Sequence, residues 1–317
     1  MNEYTGYLAR RIGQALLVLF ITYTLAFFLL SALPSDGIMA RYASPSLGLS
    51  DEQVTQIREE SNVDDPLLSQ YFAALGGFVT GNFGYSVQTG TAVGALIANA
   101  FPSTLALGSV TFVLALVVSL AVAYLATRRG FGFIADFFRS LPSFMVSLPS
   151  FLVAIVLIQV FSFQLGWFDT VNPGPWEGLV LPAITLTIPL AAPLIQVLIR
   201  AIDDAKAQPY VHAVRARGAT EEWIFFRNVL RNAMLPALTM AGLMFGELVS
   251  GAVVTETVFG RIGLGALTVD AVTQRDAPVL LAVVVIAATV YVIINLLVDL
   301  AYPLLDPRLR RKAQVKA

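Results

Sequence analysis

Six long apolar segments dominate the chain, at residues 12–33, 101–127, 144–165, 179–199, 235–255 and 279–302. Each is close to the roughly 20 residues that an α-helix needs to cross the hydrocarbon core of a bilayer. The first segment follows Arg10 and Arg11, but it is longer than the roughly 7–15 apolar residues of a signal peptide. The pattern therefore predicts an all-α membrane protein with six transmembrane helices.

The basic residues indicate how these helices are oriented. Six spans place both termini on one side of the membrane, together with Arg128, Arg129 and the segment at 200–231. That side holds all but four of the 20 lysines and arginines. Because cytoplasmic loops are enriched in Lys and Arg, we predict that both termini are cytoplasmic.

The segment between the first two predicted spans, residues 34–100, is too long for a simple connector. It is acidic between Asp51 and Asp65, and Ser50 with Gln53 fits the capping box of a helix. We predict a helical external lobe here, after an N-terminal tail and first span at 1–33. A five-span core follows at 101–302, containing a cytoplasmic loop at 201–234, and a basic cytoplasmic tail at 303–317 completes the chain.

Prolines interrupt the predicted spans. Pro149 lies in the third span, and Pro182, Pro189 and Pro193 lie in the fourth. Proline removes a backbone donor and kinks a helix, so neighbouring groups must satisfy the freed carbonyls. Such kinks fit a transport path as well as simple structural bends.

Composition supports a membrane protein and excludes several kinds of chemistry. Of the 317 residues, 57% are apolar and 13% are charged, whereas a soluble domain has about 25% charged residues. The net charge of −1 gives no reason to expect nucleic-acid binding. With no cysteine and a single histidine, His212, the chain offers neither thiolate nor multi-histidine metal ligands. The sequence also has no Gly-x-x-x-x-Gly-Lys-Ser/Thr loop for a nucleotide.

The predicted cytoplasmic loop has the pattern of two short helices joined by a glycine. The first helix is expected over 208–217, and Gly218 is a typical residue after a helix end. Thr220 fits the N-cap of the second helix, whose apolar residues recur three and four apart. Taken alone, this pattern also fits an amphipathic connector at the membrane surface.

These residues resemble a known family. The run from Tyr210 to Gly218, Tyr-Val-x-x-x-Arg-Ala-Arg-Gly, and the later Leu235–Pro236 closely resemble the peptide and nickel branch of binding-protein-dependent ABC importer permeases. That superfamily's loop is often written Glu-Ala-Ala-x-x-x-Gly, and here His212, Ala213 and Val214 stand in place of Glu-Ala-Ala, which is similar to the peptide branch. Short motifs elsewhere agree in order, at 66–71, 81–86, 101–105, 258–265 and 275–279.

The resemblance implies a permease subunit for di- or oligopeptides in the prokaryotic inner membrane. It implies three kinds of partner besides membrane lipid: a second homologous permease, two cytoplasmic ATPase subunits and an external solute-binding protein. No cofactor is expected on this chain, because ATP would be bound and hydrolysed by the ATPase subunits. The chain itself is therefore not expected to be an enzyme.

The resemblance also assigns the loop to contact with an ATPase subunit. The residues expected there are Tyr210, His212, Ala213, Val214, Arg215, Arg217, Gly218 and Ala219. We expect the two arginines to pair with carboxylates of the ATPase, and Trp223 and Phe226 to transmit motion to the fifth span.

Two polar residues inside the spans are candidates for a translocation path, Glu247 in the fifth and Asn295 in the sixth. Intramembrane carboxylates are costly and usually face a cavity or a partner. Glu247 is expected to meet peptide amino groups; the alternative is a hydrogen-bonded packing role.

Other functions fit the sequence less well. A stand-alone secondary transporter or channel would usually need coupling carboxylates or inverted repeats, and the glycine-centred loop would have no role in it. A membrane-embedded enzyme would need a second acid or base in the spans. Within the family, nickel, haem or another solute could replace peptides.

Overall fold

The computed structural model of the chain describes residues 2–32, 66–128, 130–169 and 173–305. These ranges are helical apart from short connections and one isolated bridge between Tyr85 and Ala92. The helices are α1 (Asn2–Ser31), α2 (Leu67–Thr80), α3 (Val93–Thr127), α4 (Gly132–Ser147), α5 (Ser150–Leu157, continued by a π-helix at Ile158–Gln164), α6 (Glu177–Lys206), α7 (Pro209–Ala216), α8 (Glu221–Ile224, continued by a π-helix at Phe225–Val229), α9 (Leu230–Val258), α10 (Leu264–Thr273) and α11 (Ala277–Leu305).

Among the described residues, five helical stretches are long and apolar enough to cross a membrane. They are Arg10–Ser31 of α1, the whole of α3 and of α6, Glu221–Val258 (α8 with its π-helix and α9) and Ala277–Val298 of α11. The pair α4 and α5 passes the same test only when taken together, and it is bent by 100°. The prediction of an all-α membrane protein is confirmed, and the six predicted spans are reached when this pair is counted as one broken span.

The third predicted span, at 144–165, is not a continuous helix. Helix α4 already begins at Gly132, and the chain leaves helical geometry at Leu148, which has φ −87° and ψ 117°. Proline disfavours the α conformation in the residue before it, so Pro149 ends α4 and begins α5. The predicted bounds were therefore wrong, and the proline marks a sharp break instead of a mild kink.

The prolines of the fourth predicted span do not break their helix. Helix α6 continues through Pro182, Pro189 and Pro193 without interruption. Pro182 has no N–H for the carbonyl oxygen of Gly178 four residues earlier. Arg261, which follows α9, donates from Nη1 to that oxygen. Burial lowers the pKa of this arginine, and the nearby carboxylate of Glu256 opposes the change. A donor 83 residues away thus compensates for one proline.

The chain divides into two compact units, and the first comprises Met1–Thr104 and Ile262–Val292. In this unit α2 packs against α1 through aromatic rings. The ring of Tyr71 lies 5.6 Å from Tyr23 and 5.3 Å from Phe27, and Phe78 lies 5.4 Å from Tyr23. The Tyr23 hydroxyl also donates to the carbonyl oxygen of Tyr71 at 3.3 Å.

The predicted external lobe at 34–100 is only partly visible. Its acidic stretch and the predicted cap at Ser50 lie outside the described residues. The described part holds α2 and the turns before α3, and α3 begins at Val93 instead of at 101. Helix α2 packs on the first span within the first compact unit.

A buried carboxylate in the same unit joins two sequence motifs that are far apart. Asp276 is buried and accepts hydrogen bonds from the hydroxyl of Ser86 and from the backbone N–H groups of Val87 and Gln88. The side chain of Gln88 also donates to the carbonyl oxygen of Gln274 at 2.9 Å. The turn after α2 is therefore held to the start of α11, which explains why both motifs carry polar residues.

The second unit comprises Leu105–Arg261 and Ile293–Ala317, and α6 lies at its centre. Helix α6 packs against α9, α4 and α5. The approach to α9 is close, since a Cβ atom added to Gly251 would lie 2.8 Å from Cδ2 of Leu186. Small residues allow helix backbones to approach closely in membranes.

Candidate functional site

The predicted cytoplasmic loop folds as a short helix, a glycine turn and a second helix. Helix α7 starts with Pro209 at its first position, where the missing N–H costs nothing. It ends at Ala216, and Gly218 follows with φ +88° while its N–H donates to the carbonyl oxygen of Arg215 at 3.0 Å. This left-handed geometry favours glycine. The predicted helix end is thus confirmed.

The second helix begins as expected from its cap. The hydroxyl oxygen of Thr220 accepts a hydrogen bond from the backbone N–H of Trp223 at 3.3 Å. An ion pair then closes the turn, because Arg215 donates from Nε and Nη2 to the carboxylate of Glu221 at 2.6 and 3.2 Å. This hydrogen bonding raises the pKa of Arg215 above its ordinary value.

One face of the loop is packed into the core of the second unit. Val211 of α7 and Ile224 of α8 are almost completely buried, as are Phe225 and Val229 in the π-helix that follows. They belong to the same hydrophobic cluster as the C-terminal half of α6, including Ile202. The loop is therefore a folded element that packs on the helix ends.

The opposite face is accessible. Tyr210, His212, Ala213, Arg217 and Gly218 are exposed. Val214 and Ala219 are half-buried and pack against the edge of the core cluster. The Tyr210 hydroxyl accepts a hydrogen bond from the side-chain amide of Asn232 at 2.8 Å, which ties α7 to the first turns of α9. The loop thus presents a compact exposed surface.

A second feature of interest is an exposed stripe along α9. It consists of Leu243, Gly246, Glu247, Ser250 and Val254, which recur three and four residues apart and so share one side of the helix. Placing a charge at the centre of a lipid-facing helix costs about 2.5–3.5 kcal/mol. The stripe is therefore unsuited to lipid and suited to protein or water.

Glu247 also lines a cavity of about 320 Å³ within the second unit. The cavity lies between α9, the start of α5 and the middle of α6, where Ser150 and Pro189 contribute to its wall. Ser250 and Gly251 line it from the same helix as Glu247. A carboxylate and hydroxyl groups in an otherwise apolar cavity can hold a cation or a hydrogen-bond donor.

Comparison with known proteins assigns the chain. Residues 122–311 match the family of binding-protein-dependent transport system inner membrane components, and residues 4–108 match the N-terminal part of such membrane components. The chain belongs to this family. The resemblance inferred from the loop and the shorter motifs is thereby confirmed, and the permease is an inner-membrane protein.

Curated relatives match the permease along its whole length. It is 34% identical over 312 residues to a probable peptide ABC transporter permease protein y4tP of Sinorhizobium fredii, covering 96% of this chain and 99% of that one. It is also 34% identical over 315 residues to the glutathione transport system permease protein GsiC of Escherichia coli K12, covering 97% and 99%. This chain is an ABC transporter permease subunit, a component that is not itself an enzyme.

Solved structures show the same fold. The permease superposes on a chain of the MetNI methionine ABC transporter in an inward-facing conformation with a TM-score of 0.56 and 20% identity. The match covers 67% of the permease and 96% of that chain. Family membership also decides against a transporter that works alone, which would not belong to a binding-protein-dependent system.

The structure changes two expectations about the loop of the permease. Arg215 is engaged with Glu221 inside the loop, so Arg217 is the better placed of the two arginines to meet a partner. Trp223 and Phe226 are 49% and 63% exposed, so they are not the buried link to α9. The buried contacts of this stretch are made instead by Ile224, Phe225 and Val229.

Sequence reasoning missed the residues that close the loop. Glu221 could have been found, because an acidic residue in the first turn after an N-cap is typical of a helix start. Its pairing with Arg215 depends on the chain reversal at Gly218, which only the three-dimensional structure shows.

Asn295, the other predicted path residue, lies on α11 at a close helix contact. A Cβ atom added to Gly242 of α9 would lie 3.6 Å from Oδ1 of Asn295 and 3.3 Å from Cγ1 of Val298. Asn295 is half-buried, whereas Glu247 is exposed on the stripe. Of the two predicted path residues, Glu247 lines the cavity and Asn295 is not among its lining residues.

Proposed function

We propose that this permease forms one half of the translocation path of an ATP-driven peptide importer. The observation that carries the proposal is the exposed stripe on α9, where Glu247 and Ser250 interrupt an apolar helix and line a cavity. A membrane helix with such a stripe needs a protein partner or a water-filled path beside it. A second homologous permease on this side would enclose the path between the two chains.

Peptides are the substrate class that the residues and the relatives both favour. Two curated relatives are named for peptide and glutathione transport. The cavity adds a carboxylate, Glu247, that can accept hydrogen bonds from the ammonium group of a peptide, and charged partners give the stronger hydrogen bonds. The hydroxyls of Ser150 and Ser250 can bind polar backbone groups.

The energy for transport is supplied by other chains. The exposed face of α7, with His212, Ala213 and Arg217, docks on an ATPase subunit, and Tyr210 and Val214 add apolar contact at its edge. Two ATPase subunits serve the two permeases, and an external solute-binding protein delivers the substrate. ATP binds to the ATPase subunits, and both termini of the permease lie on their side of the membrane, in the cytoplasm.

The first experiment tests the assembly. The permease is co-expressed with its genomic neighbours, purified in detergent and reconstituted in proteoliposomes with substrate-loaded binding protein. We expect ATPase subunits to co-purify and a labelled dipeptide to accumulate only with ATP. ATP-independent transport by the permease alone would overturn the proposal.

The second experiment tests the path with Glu247→Gln in the same reconstituted complex. Loading of the binding protein is unchanged, because the substitution lies in the permease. A hydrogen bond to a charged group contributes about 1.5–3 kcal/mol, so dipeptide uptake should fall about 10-fold or more. The matched control is Ser250→Ala on the same stripe, which removes one neutral hydroxyl and should have a much smaller effect. Wild-type uptake by Glu247→Gln would remove this residue from the path.

A further inference from the structure

The cytoplasmic end of α3 is connected to the loop by a residue that the loop's sequence pattern does not include. Lys206 is the last residue of α6 and donates from Nζ to the carbonyl oxygen of Thr127, the last residue of α3. The final carbonyls of a helix have no donors within the helix and carry partial negative charge. An ammonium group is therefore a suitable partner for this carbonyl.

The same ammonium group also contacts the far side of the loop. Nζ of Lys206 lies 5.8 Å from the ring centroid of Phe225, within the usual range of a cation–π interaction. Phe225 is only 5% exposed, and its ring lies 4.8 Å from that of Tyr124 near the end of α3. Lys206 is thus at the junction of three segments: the end of α6, the end of α3 and the π-helix after α8.

The position of Lys206 in the chain makes this junction mechanically direct. Only Ala207 and Gln208 separate it from Pro209, where α7 begins. Lys206 and Pro209 are three steps apart along the chain and so at most about 11 Å apart when extended, which limits how far α7 can shift without moving Lys206. Phe225 likewise follows α8 without a break. The ammonium group therefore contacts segments on both sides of the surface that faces the ATPase.

We propose that Lys206 is a positioning residue that joins the loop to α3, so that displacement of α7 moves the second span as well as α6 and α9. The buried apolar residues of the loop share one hydrophobic cluster with α6, α9 and the end of α3, and Phe225 lies against Tyr124, so packing provides one route for the motion. Lys206 provides the other, through a half-buried hydrogen bond and an aromatic contact. This inference rests on the proposed function, because it concerns how ATP use is transmitted to the spans.

A nearby ion pair serves as the matched control. Arg128, which follows α3, donates to Oε1 of Glu222 at 3.1 Å, and the two side chains are 39% and 53% exposed. Surface ion pairs of this kind contribute little. Removing it with Glu222→Gln tests whether any change of charge near α3 disturbs the complex.

The experiment compares Lys206→Met, Lys206→Arg and Glu222→Gln in the reconstituted complex. For each, the amount of co-purified ATPase, the basal ATP hydrolysis and the hydrolysis stimulated by loaded binding protein are measured. Methionine keeps the length of the side chain but has no charge and no donor. We expect Lys206→Met to assemble with near-normal basal hydrolysis, while the stimulated-to-basal ratio falls about 5-fold or more, the lower end of typical coupling between sites.

The conservative variant separates positioning from mere packing. Lys206→Arg keeps a charged donor and should retain most of the stimulation, and Glu222→Gln should match the wild type. If Lys206→Met stimulates like the wild type, or loses basal and stimulated hydrolysis in equal proportion, the inference is overturned and the proposed function stands. If the wild-type complex itself shows no stimulation, both are refuted.

Discussion

Gly218 offers a direct test of the loop, because its backbone conformation disfavours a Cβ atom although its surroundings have room for one. Its φ of +88° lies in the left-handed region, which L-residues with a Cβ avoid. A Cβ atom built at this position would meet nothing within 4 Å. Gly218→Ala therefore introduces backbone strain without a steric clash inside the permease.

The expected cost of this strain follows from the conformation. A residue with a Cβ in the left-handed region costs roughly 1–2 kcal/mol, which is a factor of about 5–30 in the population of the native turn. The side-chain contact that bridges the turn is the Arg215–Glu221 ion pair. This pair lies near the surface, where ion pairs add little to stability. The backbone strain should therefore exceed the stabilisation from this ion pair, and the turn should leave its native conformation in a large fraction of molecules.

The buried anchors limit how this relaxation spreads. Val211 before the turn and Ile224 after it are fixed in the core, so the displacement should be confined to the surface that faces the ATPase. We expect the complex to assemble, with stimulated ATP hydrolysis and peptide uptake reduced about 5-fold or more. The assay measures both in proteoliposomes, at equal amounts of inserted permease.

Gly218→Asn is the matched control, because asparagine tolerates the left-handed region better than other residues with a Cβ. It should recover much of the activity although its side chain is larger than that of alanine. Equal activity of Gly218→Ala and the wild type would refute the argument from strain. Lower activity of the asparagine variant than of the alanine variant would show that bulk at the ATPase surface matters more.

Three further predictions test the fold. The sequence has no cysteine, so single introduced cysteines can be labelled without background. Gln274→Cys should react with an impermeant maleimide from outside, and Ala216→Cys should react only after permeabilisation. The reverse result would contradict the predicted orientation. Arg261→Met should lower the thermal unfolding temperature of the permease in detergent. The loss should be smaller in a Pro182→Ala background, because alanine restores an N–H donor to the carbonyl of Gly178. Equal losses in both backgrounds would show that Arg261 does not compensate for Pro182. Asp276→Leu should lower the thermal unfolding temperature by more than Asp276→Asn, because the side-chain amide oxygen of the second variant still accepts hydrogen bonds. Leucine leaves the donors of the turn unpaired, and an unpaired buried polar group costs about 1–3 kcal/mol. Equal unfolding temperatures for the two variants would contradict the anchoring role.

The glycine-centred loop was the most predictable part of the permease. Its helix, its glycine and the Thr220 cap all follow from interactions between residues close in the chain, and these are encoded locally. The broken third span was not foreseen in its extent. A single proline is compatible with either a kinked helix or a broken one, and packing against neighbouring helices selects between them.

The sequence by itself determined the class of protein, the family and the position of the loop, and five of the six apolar spans. Each depends on apolar run length, on local capping or on short motifs, which are properties of neighbouring residues. Only the tertiary structure decided which polar groups meet: Arg261 with the carbonyl of Gly178, Asp276 with the turn at Ser86 and Lys206 with the end of α3. These partners are separated by 79 to 190 residues, and buried polar groups of this kind are satisfied by whatever the fold brings near them.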